Sequence, residues 1–136
     1  MTGGHVVDAS VLVAALVDSG NDGLWSEQVI AGGFLIAPHL VIVESLNILR
    51  RLELSKQIVE LEAASAQQNL HDLEIELMPI RPFEGRIWQL RLNLTSYDAW
   101  YVAVAETTGL PLATLDRRLS RASGPRCEFR CPDGAG

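Results

Sequence analysis

His5-Val-Val-Asp-Ala-Ser-Val-Leu-Val13 stops a short apolar run at a carboxylate and then resumes as a second apolar run with helical spacing. Val6 and Val7 are β-branched and read as the end of a buried strand, and Ser10 reads as the start of a helix through Val17. Asp8 then stands at the carboxyl end of a first strand, where open α/β sheets bind their ligands.

Working outward from this unit, the same alternation recurs. Ser19 to Gly23 is a turn cluster, Leu24 to Ile30 has helical spacing, and Gly32-Gly33 ends that helix. Phe34 to Ala37 is a short buried strand, with Pro38 at the start of the next helix. His39 to Glu53 is helical, with Leu40, Val43, Leu46, Ile48, Leu49 and Leu52 on a wide apolar face. Ser55 is the expected N-cap of an amphipathic helix running to about Asp72. Ile75 to Ile80 alternates like a strand, and Pro79 places it at an edge or near a strand end. Phe83 to Leu92 is helical, and Thr95-Ser96 caps another helix that runs to Thr108 and stops at Gly109-Leu-Pro111. Leu112 to Leu115 is a fourth strand, Asp116 to Ala122 a short helix, and Cys127 to Arg130 a fifth strand. Short strands alternating with helices predict an α/β fold, a three-layer α/β/α sandwich around a five-stranded parallel sheet. Residues 1–131 are expected to form one domain and Pro132 to Gly136 a frayed tail.

Composition narrows the function. At 136 residues the chain can bury roughly two-thirds of its unfolded surface. No apolar run approaches the ~18 residues needed to span a bilayer. The run Val11 to Val17 has no preceding Lys or Arg and is flanked by Asp8 and Asp18, unlike a signal peptide. A soluble cytoplasmic protein is expected. Cys127 and Cys131 are the only cysteines, without partners at zinc spacing. A net charge of −6 argues against a broad basic face, so any contact with nucleic acid must be local. Arginines at Arg50-Arg51, Arg81 to Arg91 and Arg117 to Arg130 suit phosphate through the planar guanidinium fork, although a solvated face also explains such runs.

Four carboxylates have bland explanations singly. Asp8 and Asp116 each follow a strand and precede a helix, as an N-cap does. Asp98, three residues after Thr95, completes a near capping box and suits the helix dipole. Glu44 is different, because Leu40, Val41, Asn47 and Ile48 lie three and four residues from it on a largely oily face. An ionised carboxylate there needs a partner, either Arg51 two turns along or a functional group. If the first and fourth strands are neighbours, Asp8 and Asp116 meet where the sheet reverses its winding. Four ionised carboxylates sharing that crevice require a cation, since each raises the others' pKa. Oxygen-only ligands point to Mg²⁺, with Mn²⁺ able to substitute. Such a site can position and deprotonate a water for in-line attack at phosphorus. His5, His39 and His71 are scattered and read as ordinary strand, helix-start and surface residues.

Val-Val-Asp-Ala-Ser, Val-Ile-Val-Glu-Ser-Leu-Asn-Ile-Leu-Arg-Arg, Ser-Tyr-Asp-Ala-Trp-Tyr-Val-Ala-Val-Ala-Glu and Leu-Ala-Thr-Leu-Asp-Arg-Arg-Leu resemble, in order and spacing, the four acidic motifs of PIN-domain ribonucleases. The small single-domain form is similar to the VapC toxins of bacterial toxin–antitoxin modules, and the likeness runs from Val6 to about Phe129. The resemblance implies a sheet of order 3-2-1-4-5. It implies a Mg²⁺-dependent endoribonuclease with Asp8, Glu44, Asp98 and Asp116 as catalytic and metal-binding acids, usually homodimeric and held inactive by a cognate antitoxin. Ser10 and Thr114 match supporting hydroxyl positions, and Asn47 matches less securely. With few aromatic residues for stacking, the expected substrate is structured RNA. A phosphoacceptor receiver domain lacks its strand-end Lys here, since the only lysine is Lys56 in a helix. A dehalogenase-type phosphatase wants Asp-x-Asp where this chain has Asp-Ala-Ser. A catalytically silent protein-binding module, with the acids serving as caps and ion-pair partners, is the remaining alternative.

Overall fold

The structure, a computed structural model, describes residues 3–133. Five parallel strands, β1 (Gly4–Val7), β2 (Phe34–Pro38), β3 (Ile75–Met78), β4 (Leu112–Ala113) and β5 (Phe129–Arg130), form one sheet in the order β3-β2-β1-β4-β5. The expected five-stranded α/β/α arrangement is what forms. Around the sheet lie α1 (Ala9–Val17), α2 (Asn21–Ala31), α3 (Leu40–Leu54), α4 (Glu60–Asp72), α5 (Glu84–Gln89), α6 (Ser96–Thr108) and α7 (Arg117–Ser120), with a 3₁₀ turn at Arg81–Phe83. Helix α1 gathers α2, α3 and α4, while α6 packs with α5 and against β1, β2 and β4.

β1 is central, and Val6 pairs with Ile36 on one side and Leu112 on the other. Val6, Val7, Leu12, Val41, Val102, Val104 and Leu112 are fully buried. Side chains of this size each contribute roughly 1.5–3 kcal/mol when removed from water. A smaller cluster of Val13, Leu49, Ile58, Ala63 and Ala66 seals α1, α3 and α4 together. The chain winds from β1 to β2 and β3 on one side, then to β4 and β5 on the other, so the switch point lies between the carboxyl ends of β1 and β4.

Several boundaries differ from expectation, each for a local reason. Asp8, not Ser10, caps α1, accepting the Val11 N–H. α2 begins at Asn21, because Gly23 lets its first turn approach the preceding chain: a Cβ there would lie 1.9 Å from the Asp18 carbonyl oxygen. Pro38 closes β2 beside Met78 instead of opening α3. Ser55 does not cap α4. It ends α3, and the chain reverses through Lys56 at φ 62°, with the Gln57 and Ile58 N–H groups donating to the Leu52 carbonyl. α4 starts five residues later, where the Glu62 carboxylate accepts the Val59 N–H at 2.9 Å. β3 stops before Pro79, which has no N–H for the ladder, and occupies a sheet edge as expected. The helix expected over Phe83 to Leu92 is cut short when the Leu90 N–H turns back to Arg86 and Ile87. β4, α7 and β5 are likewise shorter than the apolar pattern suggested. Pro132, expected to fray, has its carbonyl held by Arg117 at 2.8 Å, and residues 134–136 lie outside the described residues. Among the described residues no helix is long and apolar enough to cross a membrane.

Candidate active site

Asp8 leaves β1 with an extended backbone, caps α1, and is only 9% exposed. One carboxylate oxygen accepts the Ser10 hydroxyl at 2.5 Å and the Val11 N–H at 3.2 Å. The other accepts the Thr114 hydroxyl at 2.5 Å. Both hydroxyls also tie down the chain after β4: the Asp116 N–H donates to Thr114 Oγ1 and the Leu115 N–H to Ser10 Oγ. Two residues 106 positions apart in the chain, one after each central strand, thus share one hydrogen-bonded floor. Burial pushes the Asp8 carboxyl up to about 6; the Ser10, Thr114 and Val11 donors pull it down, and the charge of Glu44 adds to the rise.

Glu44 projects from α3 and is half-buried. Its partner is not Arg51, since the two make no ion pair among the described residues. The Tyr101 hydroxyl, from the buried face of α6, donates to Glu44 Oε1 at 2.5 Å. Burial raises the Glu44 pKa, Tyr101 opposes the rise, and Asp98 reinforces it. Asp98 lies in the first turn of α6, where its N–H donates to Thr95 Oγ1 at 3.2 Å. Its carboxyl is raised by burial and then by Asp116, against the pull of Thr95 and Arg118. Asp116 caps α7, with Oδ1 accepting the Arg118 and Leu119 N–H groups.

One cleft of about 330 Å³ is lined by Asp8, Glu44, Asp98 and Asp116 together with Ser10, Asn47, Ile48, Arg51 and Tyr101. The fold therefore brings all four predicted acids to one place, and the two predicted hydroxyls tie its floor. Capping and convergence are both true: three acids cap helix starts or lie in a first turn, and the sheet order aims those starts at each other. The repulsions form a chain, Glu44 on Asp8, Asp98 on Glu44, and Asp116 on Asp98. No histidine lines the cleft, as the scatter of His5, His39 and His71 suggested. Two polar lining residues, Tyr101 and Arg51, were not assigned to the site from sequence. Tyr101 lies three residues, or one helical turn, beyond Asp98, and Arg51 two turns beyond Glu44; helical spacing from a recognised acid is the signal that reaches both.

A parallel sheet with acidic helix starts gathered at its switch point defines the class. The sequence profile of the PIN domain matches residues 5–125, and the chain belongs to the PIN-domain family. It is 38% identical over 122 residues to ribonuclease VapC9 of Mycobacterium tuberculosis, spanning 90% of this chain and 93% of that protein. Among solved structures, PAE2754 from Pyrobaculum aerophilum is similar at a TM-score of 0.62 with 30% identity, covering 86% of this chain and 77% of that one. VapC20 of Mycobacterium tuberculosis, a toxin that cleaves the sarcin–ricin loop, matches at a TM-score of 0.65 over 85% of this chain and 92% of its own, and at 16% identity shares the fold.

Proposed function

We propose that this protein is a VapC-type toxin, a Mg²⁺-dependent endoribonuclease that cleaves structured RNA (tRNA, rRNA or mRNA) in the cytoplasm. Its catalytic and metal-binding acids are Asp8, Glu44, Asp98 and Asp116. The observation that carries the reading is the meeting of four carboxylates from four separate elements in one cleft, with the carboxyl of Asp8 lifted to about 6. Such a cluster is costly without a countercharge, and its donors are all hard oxygens, which suits Mg²⁺ or Mn²⁺. Among the described residues no three Asp, Glu, His or Cys side chains stand close enough to cage an ion by themselves. Mg²⁺ takes one or two carboxylates and keeps several waters, so it needs no full protein cage. When bound, the ion supplies activation of an attacking water and neutralisation of charge developing at phosphorus.

The chain's own residues do the rest. Ser10, Thr114 and the Val11 N–H fix Asp8, so its oxygens hold one orientation at the floor of the cleft. Asp116 spends one oxygen on the cap of α7 and keeps the other free of hydrogen bonds among the described residues. Arg51 lines the cleft and Arg118 acts on Asp98, and neither is ion-paired among the described residues. Their guanidiniums are the groups suited to hold RNA phosphates beside the acids, which reconciles nucleic-acid binding with a net charge of −6. By resemblance to the VapC toxins, a cognate antitoxin covers the cleft, and the protein works as a homodimer without a membrane.

Incubation of purified protein with total RNA tests the proposal. Cleavage is expected with Mg²⁺, none with a chelator, and none with Asp8→Asn or Glu44→Gln. Cleavage by Asp8→Asn at the wild-type rate rejects the assignment. Absence of Mn²⁺ binding by calorimetry, together with unchanged stability when the acids are neutralised, would instead identify a catalytically silent PIN-like protein-binding module.

A further inference from the structure

The geometry points to Tyr101 as a positioning residue for the acidic cleft: its hydroxyl holds the Glu44 carboxylate inside the cleft, leaving the second oxygen of Glu44 for the metal. The inference rests on the metal-binding reading above. Tyr101 is 2% exposed and one of the largest fully buried side chains, so its ring has one place to be. Its hydroxyl donates to Glu44 Oε1 at 2.5 Å across two helices, α3 and α6, and Tyr101 itself lines the cleft.

Glu44 needs such a holder more than the other acids do. Asp8 is fixed by three donors, Asp116 by two backbone N–H groups, and Asp98 has a short side chain on a capped first turn. Glu44 has a longer side chain with more rotatable bonds, stands mid-helix, and has Tyr101 as its one hydrogen-bond partner among the described residues. Like charges at Asp8 and Asp98 push it out of the cleft, and Arg51 on the same helix face offers it a way out. The buried hydroxyl counters both, and the burial of the ring makes that hydroxyl immobile. A ligand fixed in this way binds metal without first being ordered, and outer partners of metal ligands are typically worth about 10–100-fold in affinity.

Calorimetric titration of metal-free protein with Mn²⁺ is the test, on wild type, Tyr101→Phe, Glu44→Gln and the double variant. Phe keeps the ring and removes only the oxygen, and thermal unfolding of each protein checks that the fold is retained. The expected result is about tenfold weaker Mn²⁺ binding by Tyr101→Phe. In the Glu44→Gln background the same change should alter binding less than about twofold, because a positioning effect has nothing left to position. Tyr101→Phe binding like wild type overturns the inference, as does an equal loss with and without Glu44, the mark of a merely structural role. Wild type binding no Mn²⁺ overturns the metal reading and this inference with it, whereas binding by wild type that Tyr101→Phe leaves unchanged removes this inference alone.

Discussion

Replacing Asp8 with Asn should make the metal-free protein more stable at neutral pH, and the gain can be worked from the structure. The folded carboxyl titrates at about 6 where its ordinary value is 3.8, chiefly because Asp8 is buried. Between those two values the folded state holds a proton that the unfolded state has released, so stability falls as pH rises through this window. At roughly 1.4 kcal/mol per pH unit the full penalty is about 3 kcal/mol, absent below pH ~4 and complete above pH ~6. Asn carries no such penalty. It keeps the contacts of Ser10 and Val11 at one oxygen and turns an amide N–H₂ toward Thr114, at a cost of about 1 kcal/mol that does not vary with pH. Urea denaturation in chelator at steps from pH 4 to pH 7 measures both proteins. The stability difference should move by about 3 kcal/mol in favour of Asp8→Asn, nearly all of it between pH 4 and 6. Glu44 and Asp98, also raised, lie in both proteins and largely cancel. Excess Mg²⁺ at pH 7 should then stabilise wild type and not the variant. A difference that stays constant across the pH range would refute the claim that the fold strains to keep this carboxylate charged.

The Arg86 guanidinium grips Glu106 at 2.7 and 3.0 Å with both side chains mostly buried, and also reaches the Gly124 carbonyl. Arg86→Gln should therefore cost about 2 kcal/mol in urea denaturation, since Glu106 then keeps only the Arg126 N–H. Burial works against the charge of Glu106, but the Arg86 and Arg126 hydrogen bonds outweigh it and hold its pKa below the ordinary value. The pair's contribution is thus present above the usual carboxylate range and lost as pH falls through the lowered value, so Arg86→Gln should also blunt acid sensitivity. In an Asp8→Asn background that binds without cutting, Arg51→Gln and Arg118→Gln should each weaken RNA binding severalfold. Each should reduce the slope of log affinity against log salt by about 1, read by fluorescence anisotropy at several salt concentrations.

The acids were legible in sequence because each sits at a local signal. Asp8 and Asp116 follow apolar runs and cap helices, Asp98 follows Thr95 in a near capping box, and Glu44 is conspicuous on an oily face. Sequence places Tyr101 only on that apolar helix, since nothing near it in the chain shows that its hydroxyl meets a residue fifty-seven positions away. Helical spacing allows Arg51 as an ion-pair partner of Glu44, but spacing cannot say that Tyr101 reaches Glu44 instead. Ser55 misled for a similar reason: it is a good cap by type, yet α3 and α4 pack together, and the reversal between them uses the whole of Ser55 to Val59.

By itself the sequence determined the alternation of strands and helices and the placing of Asp8, Asp98 and Asp116 at helix starts. Those depend on side-chain period, β-branching and capping, which act over a few residues. Only the tertiary structure decided which carboxylates meet. Strand order puts β4 beside β1, so Thr114 can reach Asp8, and the packing of α6 near α3 lets a buried tyrosine hold Glu44. Burial then sets the charge balance of the cleft, because the cost of an ionised group depends on the water it loses and the charges it faces, and both are fixed only when the chain is folded.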